Sequence, residues 1–500
     1  MKTKKSILNF LTDVIPLLIV SVLGIFKLKL FIQYLGDETL GLYQLFSQIM
    51  VYIALVDGGL TSAVLYALYK PNAKKDNKKM NQILVASKKT FNIIGIAIFS
   101  IAFIVSFFIK LFIKDCSFDT SYLMLVFLLF SLSNVVSYFF VPYQVLLEVK
   151  EKKYISNLCL QIGQIALSVL EITMLIKEFT FVSILVMHAI IKLISNLMIG
   201  IICRRKIQEI NFKSDKPDYS FTKQIKDLLV HKVNGLIGSN IDILIISSFL
   251  GLESVAIYSV YNYIVNMIKN ILGKISSSII AIIGNKNEED KDGAFHIYLE
   301  LNSLLFLIAI VICIPLLLAI NSFINIWYEQ SIATSSLIAA SFCGLLFFFI
   351  IKLSTTTFVT STGLFKETKK CAFADMSINL VLSLVLVHFL GIAGVLIATI
   401  ISTFISEYIM KTVVLYNHVF KKDVISYFIS NVKYFVIAIL DFIAGLFIIR
   451  IFTITNIVNW FLLFGIFTII NFVVIALIFY LIGSLKSLDR FTNLLKRGEA

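Results

Sequence analysis

The chain has 500 residues, of which 59% are apolar, and its formal net charge is +14. A soluble core does not need so many apolar residues, and long apolar runs separated by short charged loops are typical of an integral membrane protein. The basic excess does not indicate a nucleic-acid-binding protein, because most of it lies in one set of loops.

Fourteen segments are apolar enough to span a bilayer, which takes about 20 residues. In chain order they are residues 10–35, 42–69, 90–113, 121–147, 156–176, 180–203, 228–250, 256–283, 297–324, 333–361, 371–390, 391–415, 430–452 and 459–484. Spans 11 and 12 meet at Gly391 almost without a loop. We therefore predict an all-α integral membrane protein with about 14 transmembrane helices.

The distribution of positive charge predicts the orientation of these spans. Loops on one side hold 31 Lys and Arg residues, and loops on the other side hold four. Because cytoplasmic loops carry the excess of basic residues, we expect a multi-pass protein of the cytoplasmic membrane with both termini in the cytoplasm. Attraction to anionic lipid heads adds to this effect. The six cysteines have no paired spacing, so no zinc site, disulfide framework or redox motif is predicted.

A repeat at a spacing of 215 residues indicates two homologous halves. Leu35-Gly36-Asp37-Glu38 precedes Tyr43, and Leu250-Gly251-Leu252-Glu253 precedes Tyr258. Six spans per half give both copies the same orientation, so we expect two six-helix lobes around a central cavity, as in many transporters. The predicted domains are an N-lobe at 1–218, a C-lobe at 219–418, and two additional spans with a cytoplasmic tail at 419–500.

Polar residues follow helical spacing inside several spans. In span 8, Asn262, Asn266 and Lys269 lie on one helical face. Asp375 and Asn379 are one turn apart in span 11, and span 10 carries Lys352. Such stripes have two interpretations: small and polar residues pack helices together, or they line a wet cavity. Span 2 places Tyr43, Ser47 and Ser62 opposite Tyr258, Asn262 and Ser277 of span 8, and stripes at such equivalent places in both halves favour the cavity.

The charges within the spans are opposed between the halves. Lys27 falls opposite Asp242 in the repeat, and Asp57 in span 2 is opposed by Lys269 and Lys274 in span 8. Lys27 with Asp57, and Asp242 with Lys269, are therefore candidate pairs. Each is either a structural ion pair or a charge whose partner changes during transport. We interpret the remaining charged or titratable residues in the spans as span-end or packing residues: Glu171, His188, Lys192, Glu407, Lys411 and Asp441.

Motifs for enzyme chemistry are missing from the sequence. No Gly-rich phosphate loop with a lysine is present, so ATP hydrolysis is not predicted. A membrane polysaccharide polymerase would need a sizeable outer loop for its chemistry, whereas most of the predicted outer loops have only a few residues. We therefore expect a transporter and not an enzyme.

Several motifs, in order, resemble those of oligosaccharide flippases of the polysaccharide transporter family. They are Tyr34-Leu35-Gly36-Asp37-Glu38 through Tyr43, Val56-Asp57-Gly58-Gly59-Leu60, Val141-Pro142-Tyr143-Gln144, His231-Lys232-Val233-Asn234-Gly235, Asp242, Leu250-Gly251, Tyr258 and Ile283-Gly284-Asn285. The similarity covers most of residues 1–420. The family belongs to a superfamily that also contains multidrug extruders and lipid II flippases.

The resemblance implies a substrate and a mechanism. The substrate would be an undecaprenyl-pyrophosphate-linked oligosaccharide, turned from the inner to the outer leaflet by alternating access for a surface polysaccharide. The residues that would meet it in the cavity are Lys27, Lys269, Lys274, Lys352, Asn262 and Asn266. Such flippases often use arginine in these spans. Lysine binds phosphate as a point charge and lacks the bidentate grip of arginine.

The resemblance also implies a coupling ion. Some relatives bind sodium through spans 7, 11 and 12, where Asp242, Asp375, Asn379 and Thr403 would be the analogues. Proton coupling through Asp57 is the alternative, and no other cofactor is expected. We expect a monomer among membrane lipids, with polysaccharide assembly proteins as candidate partners and no nucleic acid. A multidrug cation antiporter of the same superfamily is the first alternative function, and the polymerase is the second.

Overall fold

A computed structural model describes residues 2–213, 216–224, 241–289, 291–329, 332–449 and 456–484. Every regular element in these ranges is a helix, which confirms the all-α class. The chain forms two compact units, Met1–Ala256 and Ile257–Ala500. The predicted domain boundaries at residues 218 and 418 stay predictions.

Unit 1 contains eight described α-helices before residue 207 and one that begins at Asp242. They are α1 (Lys2–Leu35), α2 (Asp37–Ile53), α3 (Leu60–Ala73), α4 (Asn77–Ser106), α5 (Thr120–Val135), α6 (Val141–Val149), α7 (Lys153–Ile176), α8 (Phe181–Lys206) and α9 (Asp242–Leu250). Helix α9 packs on α2, and its Ser247 carbonyl accepts a hydrogen bond from the Lys114 amide at 3.0 Å. This contact explains why α9 falls within unit 1.

The next helix, α10 (Leu252–Glu289), begins in unit 1 and continues into unit 2. The other described helices of unit 2 are α11 (Lys291–Trp327), α12 (Ser336–Ile351), α13 (Leu353–Thr362), α14 (Lys369–Ser402), α15 (Lys411–Leu415), α16 (Val424–Ile449) and α17 (Ile457–Leu481). Two π-helical segments, Thr403–Met410 and Tyr416–Phe420, flank α15.

The described helices agree with most of the predicted spans. Ten helical stretches are long and apolar enough to cross a membrane, and they cover predicted spans 2–6 and 9–14. Span 1 corresponds to α1 and span 8 to α10, whereas most of span 7 lies outside the described residues. The chain is therefore a multi-pass membrane protein, and the total of fourteen spans stays a prediction.

The predicted junction of spans 11 and 12 is visible as a break inside α14. Gly391 has φ 57° and ψ −133°, which interrupts the helix where the two spans were expected to meet. A Cβ atom on Gly394 would lie 2.2 Å from the carbonyl oxygen of Leu386. The chain therefore folds back so closely that only a residue without a side chain fits there.

The repeat also appears in the backbone. Gly36 has φ 84° and ψ 163° just before α2, and Gly251 has φ 89° and ψ 176° just before α10. This combination of angles is almost restricted to glycine. The two glycines, 215 residues apart, thus make the same sharp break between consecutive helices, which supports the duplication predicted from sequence.

Candidate functional site

The most deeply buried acid of unit 1 that the structure describes is Glu171 on α7, whose exposed fraction is 0%. Its Oε2 atom lies 3.3 Å from Nζ of Lys27 on α1 and 3.2 Å from Nε2 of His188 on α8. A carboxylate in a membrane interior is strongly disfavoured unless cationic groups pair with it. The site therefore joins three spans through one buried charge. The pairing of Lys27 with Asp57 stays a prediction, whereas Glu171 and His188, interpreted from the sequence as span-end or packing residues, form this buried contact with Lys27.

Tyr43 on α2 adds a fourth helix to this cluster. The Lys27 ammonium lies 5.9 Å from the centroid of the Tyr43 ring, within the range of a cation–π contact. The Tyr43 and His188 rings meet edge to face at 6.1 Å. We call Lys27, Tyr43, Glu171 and His188 the N-lobe charge cluster.

Polar residues continue along α8 from this cluster. Lys192 donates a hydrogen bond to Oδ1 of Asn134 at 2.8 Å, and Gln144 donates one to Oδ1 of Asn196 at 3.3 Å. His188, Lys192 and Asn196 are spaced by four residues, so they share one face of α8. That spacing is the signal in the sequence that could have identified this face.

In unit 2 the corresponding feature is centred on Glu407, in the π-helical segment Thr403–Met410. Lys411 donates a hydrogen bond to Glu407, and Nζ of Lys352 lies 3.9 Å from Glu407 Oε2. Lys352 was predicted to bind substrate, whereas Glu407 and Lys411 were not. Asp375 interacts electrostatically with Lys352 and Glu407, so two lysines and two acids share this region. We call Lys352, Glu407 and Lys411 the C-lobe charge cluster.

An apolar cavity of about 510 Å³ lies beside the helical segments that carry the C-lobe charge cluster. Phe404 and Tyr408, on either side of Glu407 in sequence, line it, and so does Phe348, one turn before Lys352. The other lining residues are Ile400, Ile401, Ile409, Phe428, Val432 and Phe435, so the wall is apolar and includes none of the three charged residues. A charged cluster that shares helical segments with an apolar cavity is suited to a molecule with an anionic head and an apolar tail.

The proposed sodium ligands of spans 11 and 12 make specific contacts with neighbouring hydroxyl groups. Asp375 Oδ1 accepts a hydrogen bond from Ser406 at 2.8 Å, and the buried Asn379 donates one to Thr399 at 2.9 Å. Asn379 thus meets Thr399, and the role of Thr403 as a sodium ligand stays a prediction. Carboxylate, amide and hydroxyl oxygens are the donors that hard cations prefer, so these residue types fit a sodium ion.

The two remaining acids of the prediction lie in unit 1. Asp57 ends the 3-10 turn Ala54–Asp57 and precedes Gly58 and Gly59, both in the left-handed conformation. Asp242 is the first residue of α9 and is buried. The predicted pairing of Asp242 with Lys269 stays a prediction, and the motif from His231 to Gly235 lies outside the described residues.

The polar face of span 8 lies on α10, as predicted. Nζ of Lys269 lies 5.5 Å from the centroid of the Phe349 ring, so its charge meets an aromatic face. Asn262, Asn266 and Lys274 are half-buried on the same helix. Their assignment to substrate binding stays a prediction.

Comparisons with known proteins place the chain among membrane transporters by fold. A family model described as polysaccharide biosynthesis protein matches residues 12–285. The structure of the lipid II flippase MurJ in an inward closed conformation is 19% identical, covers 96% of this chain and 99% of its own, and has a TM-score of 0.71. No curated protein sequence matches the chain.

Multidrug resistance MATE family transporters of the MOP superfamily are also similar in structure. An inward-facing one is 15% identical over 79% of this chain and 93% of its own, with a TM-score of 0.60. An outward-facing one is 15% identical over 89% of this chain and 96% of its own, with a TM-score of 0.56. At these identities the similarity establishes a shared fold.

Proposed function

This chain belongs to the polysaccharide biosynthesis protein family, and from that premise we propose that it is a flippase for a lipid-linked oligosaccharide. The substrate is an undecaprenyl-pyrophosphate-linked oligosaccharide, carried from the inner to the outer leaflet of the cytoplasmic membrane by alternating access. The product serves surface polysaccharide synthesis. The observation that carries the proposal is that the C-lobe charge cluster and the wall of the apolar cavity share the same helical segments.

The chemistry of that substrate matches this arrangement. A pyrophosphate is a compact anion, which the mobile ammonium groups of Lys352 and Lys411 can contact as point charges. A polyprenyl chain is apolar and can lie against the aromatic side chains of the adjoining cavity. Lys27 and Lys269 supply further cationic groups on the predicted path of the head group.

Two comparisons favour a flippase over a multidrug cation antiporter. The similarity to the lipid II flippase covers 96% of the chain, whereas the MATE transporters cover 79% and 89%. The polymerase alternative is disfavoured because the similar solved structures described above are a flippase and transporters.

An ion gradient would drive the transport cycle. Sodium bound near Asp375 and Asn379, with Asp242 and Thr403 as further ligands, is one candidate coupling ion. A proton carried by Asp57 is the other. A bound sodium ion would supply positive charge that stabilises one conformation, and the side-chain oxygens would orient around it.

The test is reconstitution of the purified protein into liposomes with a fluorescent undecaprenyl-pyrophosphate oligosaccharide. We expect the wild type to move the lipid between leaflets and Lys269→Ala to abolish that movement while the protein still inserts. Lys370→Gln, an exposed lysine at the start of α14, is the matched control and should retain the activity. Efflux of a cationic dye without movement of the lipid would overturn the proposal in favour of the antiporter.

A further inference from the structure

A second cavity in unit 2, of about 330 Å³, lies where α16 begins and α17 ends. This is the end of the helices that the charge distribution predicts to be cytoplasmic. In contrast to the apolar cavity, its wall combines polar and apolar side chains. Its residues include Asn302 and Ser303 from α11, Ser430, Asn431 and Lys433 from α16, and Ser484 after α17.

The floor of this cavity is a connected set of hydrogen bonds. Asn302 donates to Oδ1 of Asn431 at 3.0 Å, and the Tyr427 hydroxyl donates to Oδ1 of Asn302 at 2.8 Å. The Tyr434 hydroxyl bonds with Ser303 at 2.8 Å and donates to Ser484 at 2.9 Å. Because each buried polar group has partners, the floor is rigid and neutral.

The rim of the cavity lies at the lipid-facing surface of α16. Ser426, Ser430 and Lys433 are spaced by four and three residues, so they form one exposed polar stripe. Beside this stripe, Ile429 is 67% exposed and Val432 is 56% exposed, as expected for a face in contact with lipid tails. Hydroxyl and ammonium groups at this surface are disfavoured unless a polar group of the membrane meets them.

The charges at the rim favour an anion. The Lys433 ammonium lies 4.9 Å from the centroid of the Tyr434 ring, which holds it beside the opening. The one acid in the wall, Asp423, accepts hydrogen bonds from the amides of Ile425 and Ser426 at 3.1 and 2.9 Å. Its carboxylate thus caps the start of α16, and Lys433 is the basic residue of the cavity lining.

We propose that this cavity binds the phosphate head group of an anionic lipid from the adjacent leaflet. The Lys433 ammonium and the Ser430 hydroxyl contact phosphate oxygens, and the amides of Asn302 and Asn431 face the hydroxyl-bearing part of the head group. The lipid chains lie along the exposed apolar faces of α16 and α17. This site goes beyond the proposed transport function, because a flippase does not require it.

The phosphate could belong to a bulk phospholipid or to a polyprenyl lipid awaiting transport, and one experiment separates the two sources. Full-length protein in mild detergent is incubated with phosphatidylglycerol, phosphatidylcholine, undecaprenyl phosphate or inorganic phosphate, and bound adducts are counted by native mass spectrometry. We expect retention of at least one anionic lipid well above phosphatidylcholine. Preference for phosphatidylglycerol identifies a bulk lipid, and preference for undecaprenyl phosphate identifies the polyprenyl class.

Substitutions of Lys433 test whether the retained lipid is bound in this cavity. Lys433→Gln should weaken binding of the anionic lipid by about tenfold, the usual effect of losing one charged contact. Lys433→Arg should restore it, and Lys370→Gln should leave it unchanged.

Equal retention in wild type and Lys433→Gln, or equal retention of anionic and zwitterionic lipids, would overturn the proposal. Adducts of inorganic phosphate without any lipid adduct would also overturn it. If transport assays fail while lipid retention still depends on Lys433, only the proposed transport function is refuted.

Discussion

The Lys27 ammonium lies 3.3 Å from the Glu171 carboxylate, so the first span is paired electrostatically with the fifth. His188 contacts the same carboxylate at 3.2 Å. Because Glu171 is fully buried, these two partners are what allow it to remain charged within the membrane.

Removing the carboxylate should destabilise unit 1 more than removing the whole pair. Glu171→Leu removes the carboxylate that Lys27 and His188 contact, and we expect a loss of about 3–5 kcal/mol in the free energy of unfolding. The double variant Lys27→Met with Glu171→Leu should recover much of that loss. Unfolding of the purified protein in SDS titrations measures both. Glu178→Gln, an exposed acid after α7, is the control and should have little effect. Equal stability of the single and double variants would contradict the pairing.

Opposite changes in substrate affinity should follow from opposite charge changes in the C-lobe charge cluster. Lys352→Gln removes one positive charge and should weaken binding of undecaprenyl pyrophosphate by about tenfold. Glu407→Gln adds one positive charge and should strengthen it. Binding of a fluorescent analogue to purified protein measures both affinities. A change of the same sign in both variants would show that the effect is structural and not electrostatic.

The two candidate coupling ions can be separated in liposomes. If sodium drives the cycle, Asn379→Ala and Asp375→Asn should remove the stimulation by a sodium gradient and leave basal movement of lipid unchanged. If protons drive it, Asp57→Asn should remove the response to a pH gradient. The initial rate of flipping, measured with each gradient applied separately, decides between them. A wild-type rate that ignores both gradients would exclude both couplings.

The repeated glycine break should not tolerate a side chain. Gly36→Ala and Gly251→Ala place a Cβ on a backbone with positive φ and extended ψ, which costs about 1–3 kcal/mol. Thermal unfolding should show a lower midpoint for each. Gly465→Ala on α17 is the matched control, because a Cβ there would meet nothing within 4 Å. Its midpoint should match or exceed that of the wild type.

The segment around Asp218, which follows α8, should pack against α4 in a pH-dependent manner. Nζ of Lys79 lies 2.8 Å from Asp218 Oδ2, and the hydrogen bond from Lys79 holds the pKa of the Asp218 carboxyl below its usual range. The contact between Lys79 and Asp218 therefore stabilises the folded state fully above about pH 4, the pKa of an aspartate in an unfolded chain. It is lost as the pH falls through the lower folded pKa.

Hydrogen exchange at the Asp218 amide, which donates to the Gln82 carbonyl at 3.1 Å, reports this docking. After correction for intrinsic rates, we expect protection at neutral pH and a loss only in acid below about pH 4. Asp218→Asn should show weaker protection that does not change over this range. Wild-type protection that is constant through the acid range would contradict the role of the carboxylate.

Sequence reasoning identified the features that depend on local composition. Apolar runs of sufficient length predicted most of the spans, since a bilayer requires them. Gly391 marked the junction of two helices because little else interrupts that apolar run. The repeat, with Gly36 and Gly251, could also be recognised in the sequence, because a backbone with positive φ and extended ψ is almost restricted to glycine. Lys352 was identified because a charge within an apolar segment stands out by itself.

The sequence by itself thus determined that this is a helical membrane protein with an internal repeat and charged residues within its spans. Only the tertiary structure decided which charges meet. Lys27 could reach an acid on any neighbouring helix, and its contact with Glu171 depends on how α1 packs against α7. Glu407 likewise gained its role from the approach of Lys352, 55 residues away in sequence. Helix packing brings together residues that no local pattern connects, because the contacts depend on the rotation and tilt of each helix against its neighbours.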